Sequence, residues 1–592
     1  MDNMANRLAA RWKLAVVLAW LLYAAWFLFN KWGAIRGFAL GDTDDNLRLA
    51  QVRALLDGQA WFDLRQHRLD PLHGGANIHW SRLVDLPLAG LILIIRPFAG
   101  GLEAERWASA IAPLLPLLPL LAGLVLVTRR LVGPGAGLIA LGGIAFAGST
   151  VGMFQPLRID HHGWQLALLA IALAGIADPK RARGGATVGI ASALSLTIGL
   201  ELLIYLALMG VAQVLFWIVD RDQRRRLATY AATLGGGTAL SFLLFASNAN
   251  RLPVCDALSP VWLSNALLGG AAMLALAWAS PGKWQTRLAL AAAAGIALAG
   301  FHAFAWPHCL ARLEGISPAA SELWMSHVRE ARPIYRHGFT VAALTLALPL
   351  TGLVGWAWLA WRARGDRALL ARTLAVWAVA FTALALLLWQ TRTGPASQML
   401  AIPGAVAIIV LLAPRARLSN NVLVRTVGTA AIVVIGLGGA VPLAAPYFPA
   451  EKQTAIGRRI AAANRSCPSL AGLRPVALQP QGTIFTYVDF GPRIIAMTRH
   501  QAIAGPYHRN HQAIVDIMRT FRGTADEARA IVAGKYRSDY LMICPDQSTA
   551  TIFMAEAPRG FYAQLAKGQV PDWLEPVDLG EKSPWRMWRV VG

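Results

Sequence analysis

Gly41-Asp42-Thr43-Asp44-Asp45-Asn46-Leu47-Arg48 follows closely on the first apolar run of the chain, which ends near Lys31. Three carboxylates within four residues repel one another and are costly beside a bilayer, so a cation, most simply a divalent metal, is expected to compensate them. A solvated acidic turn would explain the same residues taken alone. A companion cluster, Asp160-His161-His162, changes that balance, because two distant segments then offer oxygen and nitrogen ligands to one site.

Around these stretches the chain is strongly apolar. Of 592 residues, 56% are hydrophobic and 15% charged, with mean hydropathy +0.47, which marks a polytopic α-helical membrane protein. The net charge of +23 does not point to nucleic acid, since the basic residues gather in short clusters between apolar segments, as the positive-inside rule produces. Arg7, Arg11 and Lys13 precede the first apolar run and no convincing cleavage site follows, so the first span is read as uncleaved with a cytoplasmic N-terminus. Further basic connections are Arg129-Arg130, Lys180 to Arg183, Arg221 to Arg226, Lys283 to Arg287, Arg362 to Arg372 and Arg415 to Arg425. If all face the cytoplasm, a pair of spans separates each from the next and the count is about thirteen helices. The pair between Arg183 and Arg221 is short, so its turn falls near Gly199-Leu200-Glu201 and puts Glu201 at the outer surface.

This topology places outer loops at 33–85, 153–162 and 307–337 of a membrane domain covering 1–445, with Ala249 to Pro260 and Gln390 to Met399 on the same side. After Pro446 the long apolar runs stop, and 446–592 reads as a periplasmic mixed α/β domain of about 150 residues. Within it Thr483 to Tyr487 and Asp539 to Ile543 are strand-like, and His511 to Arg522 and Asp526 to Ala533 helix-like. Cys255, Cys309, Cys467 and Cys544 all fall on the outer side, where an oxidising compartment would allow Cys255–Cys309 and Cys467–Cys544 to pair.

Carboxylates with one imidazole suit Mn²⁺ or Mg²⁺ better than Zn²⁺. In an extended segment Asp160 and His162 share one side and His161 faces the other. In the third outer loop, Ser326-His327-Val328-Arg329-Glu330-Ala331-Arg332-Pro333 offers Glu330, which either orients an acceptor or pairs with Arg329 or Arg332 on the surface. Trp61-Phe62-Asp63 and His79-Trp80-Ser81-Arg82 are aromatic-plus-polar groups that either hold sugars or lie at the membrane interface.

In this order, and along nearly the whole chain, these motifs resemble those of the oligosaccharyltransferase catalytic subunit and its single-subunit archaeal and bacterial relatives, within the GT-C glycosyltransferase superfamily. The shared features are Asp42 with Asn46-Leu47-Arg48, Asp160-His161-His162 in the His form of archaeal members, Ser326 to Glu330 followed by Pro333, and a C-terminal outer domain after the spans. The resemblance implies the GT-C fold, with Asp42 rather than Asp44 as metal ligand beside Asp160 and His162. It also implies that Arg392 binds the lipid phosphate. Tyr487-Val488-Asp489-Phe490-Gly491 stands where the family has Trp-Trp-Asp-Tyr-Gly, which implies acceptor-binding roles for Tyr487, Asp489 and Gly491. Both tryptophans are absent, which leaves protein and glycolipid or polysaccharide acceptors equally open.

The expected activity is metal-assisted transfer of a sugar or oligosaccharide from a polyprenyl-phosphate or diphosphate donor, on the periplasmic face of a bacterial inner membrane. The cation and Arg392 or Arg158 would stabilise the departing phosphate, while Asp42 and Glu330 orient and activate the acceptor. No nucleotide-binding glycine loop is evident, in keeping with a lipid-linked donor. Expected partners are that donor, the membrane and the acceptor, with no nucleic acid. A transporter or flippase of lipid-linked sugars would instead carry ionisable residues near mid-membrane. A non-catalytic assembly protein would not need Asp42, Asp160 or Glu330.

Overall fold

The computed structural model describes residues 10–311, 313–448 and 454–591. Arg7, part of the N-terminal segment expected to be cytoplasmic, lies outside them. Eight described helices are long and apolar enough to cross a membrane: Trp12–Asn30, Gly101–Leu131, Arg221–Phe245, Pro260–Ala279, Trp284–Ala305, Phe339–Ala363, Arg367–Leu388 and Thr391–Arg417. The protein is therefore a multi-pass membrane protein. The expected count of about thirteen exceeds these eight and would need shorter or broken elements as further spans. These are Ala136–Phe146, His162–Ala177, Leu203–Val219, Arg181–Ile198, and the pair Val424–Gly436 and Ala440–Tyr447, bent by 99°. A 16-residue helix rises only about 24 Å against a hydrocarbon core of about 30 Å, so such elements fall short of a full crossing by themselves. Among the long helices, the window of Thr391–Arg417 is 78% buried, inside the bundle, and that of Trp284–Ala305 is 0% buried, at its periphery.

Small residues set how closely the helices approach. A Cβ on Gly355 would come within 1.8 Å of the Gly404 carbonyl oxygen, so Phe339–Ala363 and Gly394–Arg417 meet backbone to backbone at a pair of glycines.

The acidic stretch is not a loop. Asp42 is the N-cap of the helix Thr43–Leu56, its carboxylate accepting from the Asp44 N–H at 3.2 Å, with Asp44 and Asp45 in the first turn. Negative charge is favoured there by the exposed N–H groups and the helix dipole. Likewise 160–162 is not extended: the Asp160 carboxylate accepts from the His162 N–H at 3.0 Å and opens the helix His162–Ala177.

The C-terminal unit carries a five-stranded sheet, β1 (Thr483–Phe485), β2 (Gln501–Ala502), β3 (Tyr540–Ile543), β4 (Leu574–Val577) and β5 (Arg586–Val590), in the order β2-β1-β3-β5-β4. β1 runs parallel to β2 and β3, and β5 antiparallel to β3 and β4. Tyr487, Phe521, Phe553 and Tyr562 pack in its core beside the amphipathic helix His511–Arg522.

This unit is anchored on the segment that follows the first membrane helix. Leu47, Leu69, Ile78 and Trp80 form one apolar cluster with Ile495, Ala502 and Tyr507. Buried polar contacts reinforce it: Arg493 donates to Asn46 at 3.0 Å, Asn510 to Asp70 at 2.6 Å, and Arg509 makes a two-pronged pair with Asp256, each contact 2.7 Å. Disulfides join Cys255 to Cys309 and Cys467 to Cys544.

Candidate functional site

Between the acidic helix start, the helix Gly394–Arg417 and the C-terminal unit lies a cavity of about 1380 Å³. Asp42, Asp44, His79, Trp80, Arg158, His162, Glu201, Glu330, Arg392 and Asp489 all reach its wall, although they come from segments more than 400 residues apart.

At one end the carboxylates of Asp42, Asp45 and Asp160 surround Arg158. Its guanidinium hydrogen-bonds Asp42, and it lies 2.8 Å from Asp160 Oδ2 and 3.8 Å from Asp45 Oδ2. Asp45 also accepts from the Asp160 N–H at 3.1 Å, which locks the two segments together. Burial alone would raise the Asp42 carboxyl, but the charge and hydrogen bond of Arg158 hold it below the ordinary carboxylate range. Burial would raise Asp160 too, yet His162 and Arg158 keep it low. Asp45, desolvated and facing Asp160, is pushed well up, and Asp44, desolvated beside Asp42, is pushed up to about 7.

A second layer supports this end. His161 does not face away from the site: its Nε2 lies 2.8 Å from Glu201 Oε1, and Gln165 donates to the same carboxylate at 3.0 Å. Burial would raise Glu201, but His161 pulls it far below its usual range. Glu201 therefore sits in the turn between Arg181–Ile198 and Leu203–Val219 with its side chain 26% exposed to the cavity. Beneath lies a fully buried ion pair that the sequence reading missed, Arg48 with Asp85 at 2.5 Å. Arg48 also stacks on Trp80, 5.0 Å to the ring centre. Trp80 itself is 1% exposed, its N–H on Gln51 at 2.8 Å. It is thus held by packing where it meets the cavity wall. His79 stands beside His508 of the C-terminal unit, ring centres 4.7 Å apart.

At the other end Arg392 occupies the turn Thr391–Thr393 that leads into Gly394–Arg417. The backbone carbonyl of Glu330 accepts from the Thr391 hydroxyl at 3.2 Å, which brings the third outer loop against that turn. Among the described residues the Glu330 side chain makes no ion pair with Arg329 or Arg332. Asp489 reaches the wall from the C-terminal unit and accepts from the Thr549 hydroxyl at 2.9 Å. Tyr487 and Gly491 do not: Tyr487 is fully buried with its hydroxyl on the Cys544 carbonyl at 3.3 Å, and a Cβ on Gly491 would meet the Ala504 oxygen at 1.8 Å. Of the three positions expected to bind an acceptor, Asp489 alone therefore lines the cavity.

The donor set of carboxylates and an imidazole suits a hard divalent ion. Asp45 Oδ2 and Asp160 Oδ2 are buried atoms that accept no hydrogen bond, the kind of orphan a cation satisfies. Yet Asp42, Asp160 and His162 do not gather within 4.8 Å of one another, since Arg158 stands between the carboxylates. The group of described residues that is so gathered, Cys255, His308 and Cys309, has both sulfurs committed to the disulfide.

A bundle of membrane helices whose connecting segments and C-terminal α/β unit line one cavity is the GT-C architecture. The chain shares this fold with the archaeal oligosaccharyltransferase AglB of Archaeoglobus fulgidus. For AglB in complex with an inhibitory peptide and a dolichol-phosphate the TM-score is 0.68 at 17% identity, over 96% of this chain and 73% of that one. The apo form of the Archaeoglobus fulgidus enzyme gives 0.67 at 17% identity, over 90% and 69%. Its complex with Zn and sulfate gives 0.62 at 17% identity, over 95% and 71%. No protein-family model and no curated protein matches the sequence.

Proposed function

We propose that this protein is a GT-C glycosyltransferase that moves a sugar or oligosaccharide from a polyprenyl-phosphate or diphosphate carrier to an acceptor. The observation that carries the proposal is the placement of acidic groups, Arg158 and Arg392 around one cavity whose rim is built by membrane helices. An isoprenoid tail would stay among the apolar helices while its phosphate enters the polar chamber. The fold shared with an enzyme in complex with a dolichol-phosphate supports this reading.

In the reaction the bond between the anomeric carbon and the phosphate oxygen breaks, and the acceptor nitrogen or oxygen forms the new one. Arg392, at the start of Gly394–Arg417, is placed to take up phosphate charge together with the N–H groups of that helix. Asp42, held ionised, and Glu330 would orient the acceptor and accept its proton. Asp42, Asp160 and His162 would hold the divalent ion, Mn²⁺ or Mg²⁺, with Asp44 within reach. When bound, such an ion supplies positive charge to the leaving phosphate. Glu201 braces His161, next to His162, through the contact described above.

We place the cavity and the C-terminal unit in the bacterial periplasm, with the N-terminus in the cytoplasm. The basic connections between spans and the two disulfides both support that orientation. Comparative mass spectrometry of lipid-linked saccharides, glycolipids and glycoproteins from cells with and without the gene tests the proposal. The expected result is a donor that accumulates and a glycoconjugate that disappears when the gene is removed. An unchanged glycome would overturn it.

A further inference from the structure

Arg158 is the most heavily engaged cation of the cavity. One guanidinium contacts three carboxylates, those of Asp42, Asp45 and Asp160, and each contact uses an oxygen that a metal would need. Asp45 and Asp160 are 1% and 4% exposed, so neither can exchange Arg158 for bulk water without a large desolvation penalty. Loss of Arg158 with no cation in its place would therefore leave buried Asp160 uncompensated. The fit of the guanidinium is nevertheless incomplete, because Asp45 Oδ2 and Asp160 Oδ2 accept no hydrogen bond from it.

The way Arg158 is mounted matters as much as its contacts. The preceding residue, Leu157, is 3% exposed and packs with Ile35, Leu49 and Leu88, and its N–H is fixed on the Ser109 carbonyl at 2.9 Å. The backbone is thus anchored, whereas the Arg158 side chain is 21% exposed and opens on the cavity. A long side chain on a fixed base can leave the cage and remain at the rim.

We propose that Arg158 is an exchangeable counter-ion, so that its guanidinium and a divalent cation are alternative partners of the Asp42 and Asp160 carboxylates. Entry of the cation transfers the guanidinium to the cavity side, where a donor phosphate can bind it. Loading of the cage and recognition of the phosphate are thereby coupled. This rests on the glycosyltransferase reading for the identity of the phosphate, but not for the exchange itself.

The test is Mn²⁺ binding to the full chain in lipid nanodiscs, followed by electron paramagnetic resonance of free Mn²⁺, for wild type, Arg158→Met and Arg158→Lys. With no competing cation, Arg158→Met is expected to bind Mn²⁺ at least about tenfold more tightly than wild type. Arg158→Lys, which keeps the charge but cannot span three carboxylates, falls between them. Without divalent ions Arg158→Met melts below wild type, and Mn²⁺ restores it. Equal affinities in all three proteins, or no binding in any, would overturn the exchange. Should Arg158→Met not fold, Arg158→Lys decides: affinity no tighter than wild type would overturn it. Tighter binding in the variants, together with no release of polyprenyl phosphate by wild type, would sustain the exchange and reject the glycosyltransferase reading.

Discussion

Replacing Asp85 by Asn should unsettle the floor of the cavity more than any surface change nearby. Arg48 and Asp85 are 2.5 Å apart, and both side chains are completely excluded from solvent. Arg82 lies 3.7 Å from the other carboxylate oxygen, too far to replace the lost partner fully. Removing one member of such a pair strands a buried charge and costs about 3–5 kcal/mol, whereas replacing both by apolar groups of similar volume is close to neutral. Arg48 also carries Trp80 and lies 3.4 Å from His161 Nδ1, so the loss reaches the helix Thr43–Leu56 and the acidic cage. The assay is thermal unfolding in nanodiscs followed by tryptophan fluorescence, on Asp85→Asn, Arg48→Met and the double variant Arg48→Met with Asp85→Leu. The singles should melt well below wild type and the double near it. Singles within about 1 kcal/mol of wild type, or a double no better than either, would refute the reasoning.

Gly491→Ala forces a Cβ to within 1.8 Å of the Ala504 carbonyl oxygen and should lower the melting temperature and the yield of folded protein; a wild-type melting curve would count against the tight approach. Cys467→Ser should cost about 2–5 kcal/mol in the C-terminal unit, measured by its susceptibility to proteolysis under non-reducing conditions. Burial, reinforced by the neighbouring His508, holds His79 neutral well below the ordinary imidazole range. The unfolded chain takes up that proton below pH about 6.5 and the folded chain does not, so stability should fall as pH drops through that value and His79→Asn should flatten the slope. Glu330→Gln should slow turnover more than it weakens donor binding, a split read from kcat and from the Kd of a non-transferable donor analogue.

What was legible in the sequence was what length, hydropathy and charge dictate locally. The long spans declare themselves by apolar length, and His511–Arg522 by amphipathic period, with the same bounds in the structure. Sidedness inferred from basic connections put the four cysteines in one compartment, and the two expected pairs are disulfides in the structure. The misses are interactions that no local pattern encodes. Asp42 to Asp45 reads as a ligand cluster because three acids are conspicuous, while its second use, capping a helix, needs the backbone to be seen. Arg158 reads as a phosphate contact, yet its three carboxylate partners come from positions 42, 45 and 160 and converge only in the fold. Tyr487 carries the motif's position but turns inward, because an aromatic residue there completes the cluster with Phe521, Phe553 and Tyr562. β4 escapes because Pro576 and Glu575 interrupt the apolar alternation of Leu574–Val577.

The central claim, that the cavity cleaves a lipid-linked sugar donor, is tested most directly by release of polyprenyl phosphate or diphosphate. The purified full-length protein in nanodiscs would be given radiolabelled lipid-linked saccharide and an extract supplying acceptors. The account predicts release by wild type, and none by Asp42→Ala or Asp160→Ala proteins that remain folded and membrane-inserted. Release undiminished in both variants, or none from wild type with any lipid-linked donor, would contradict it.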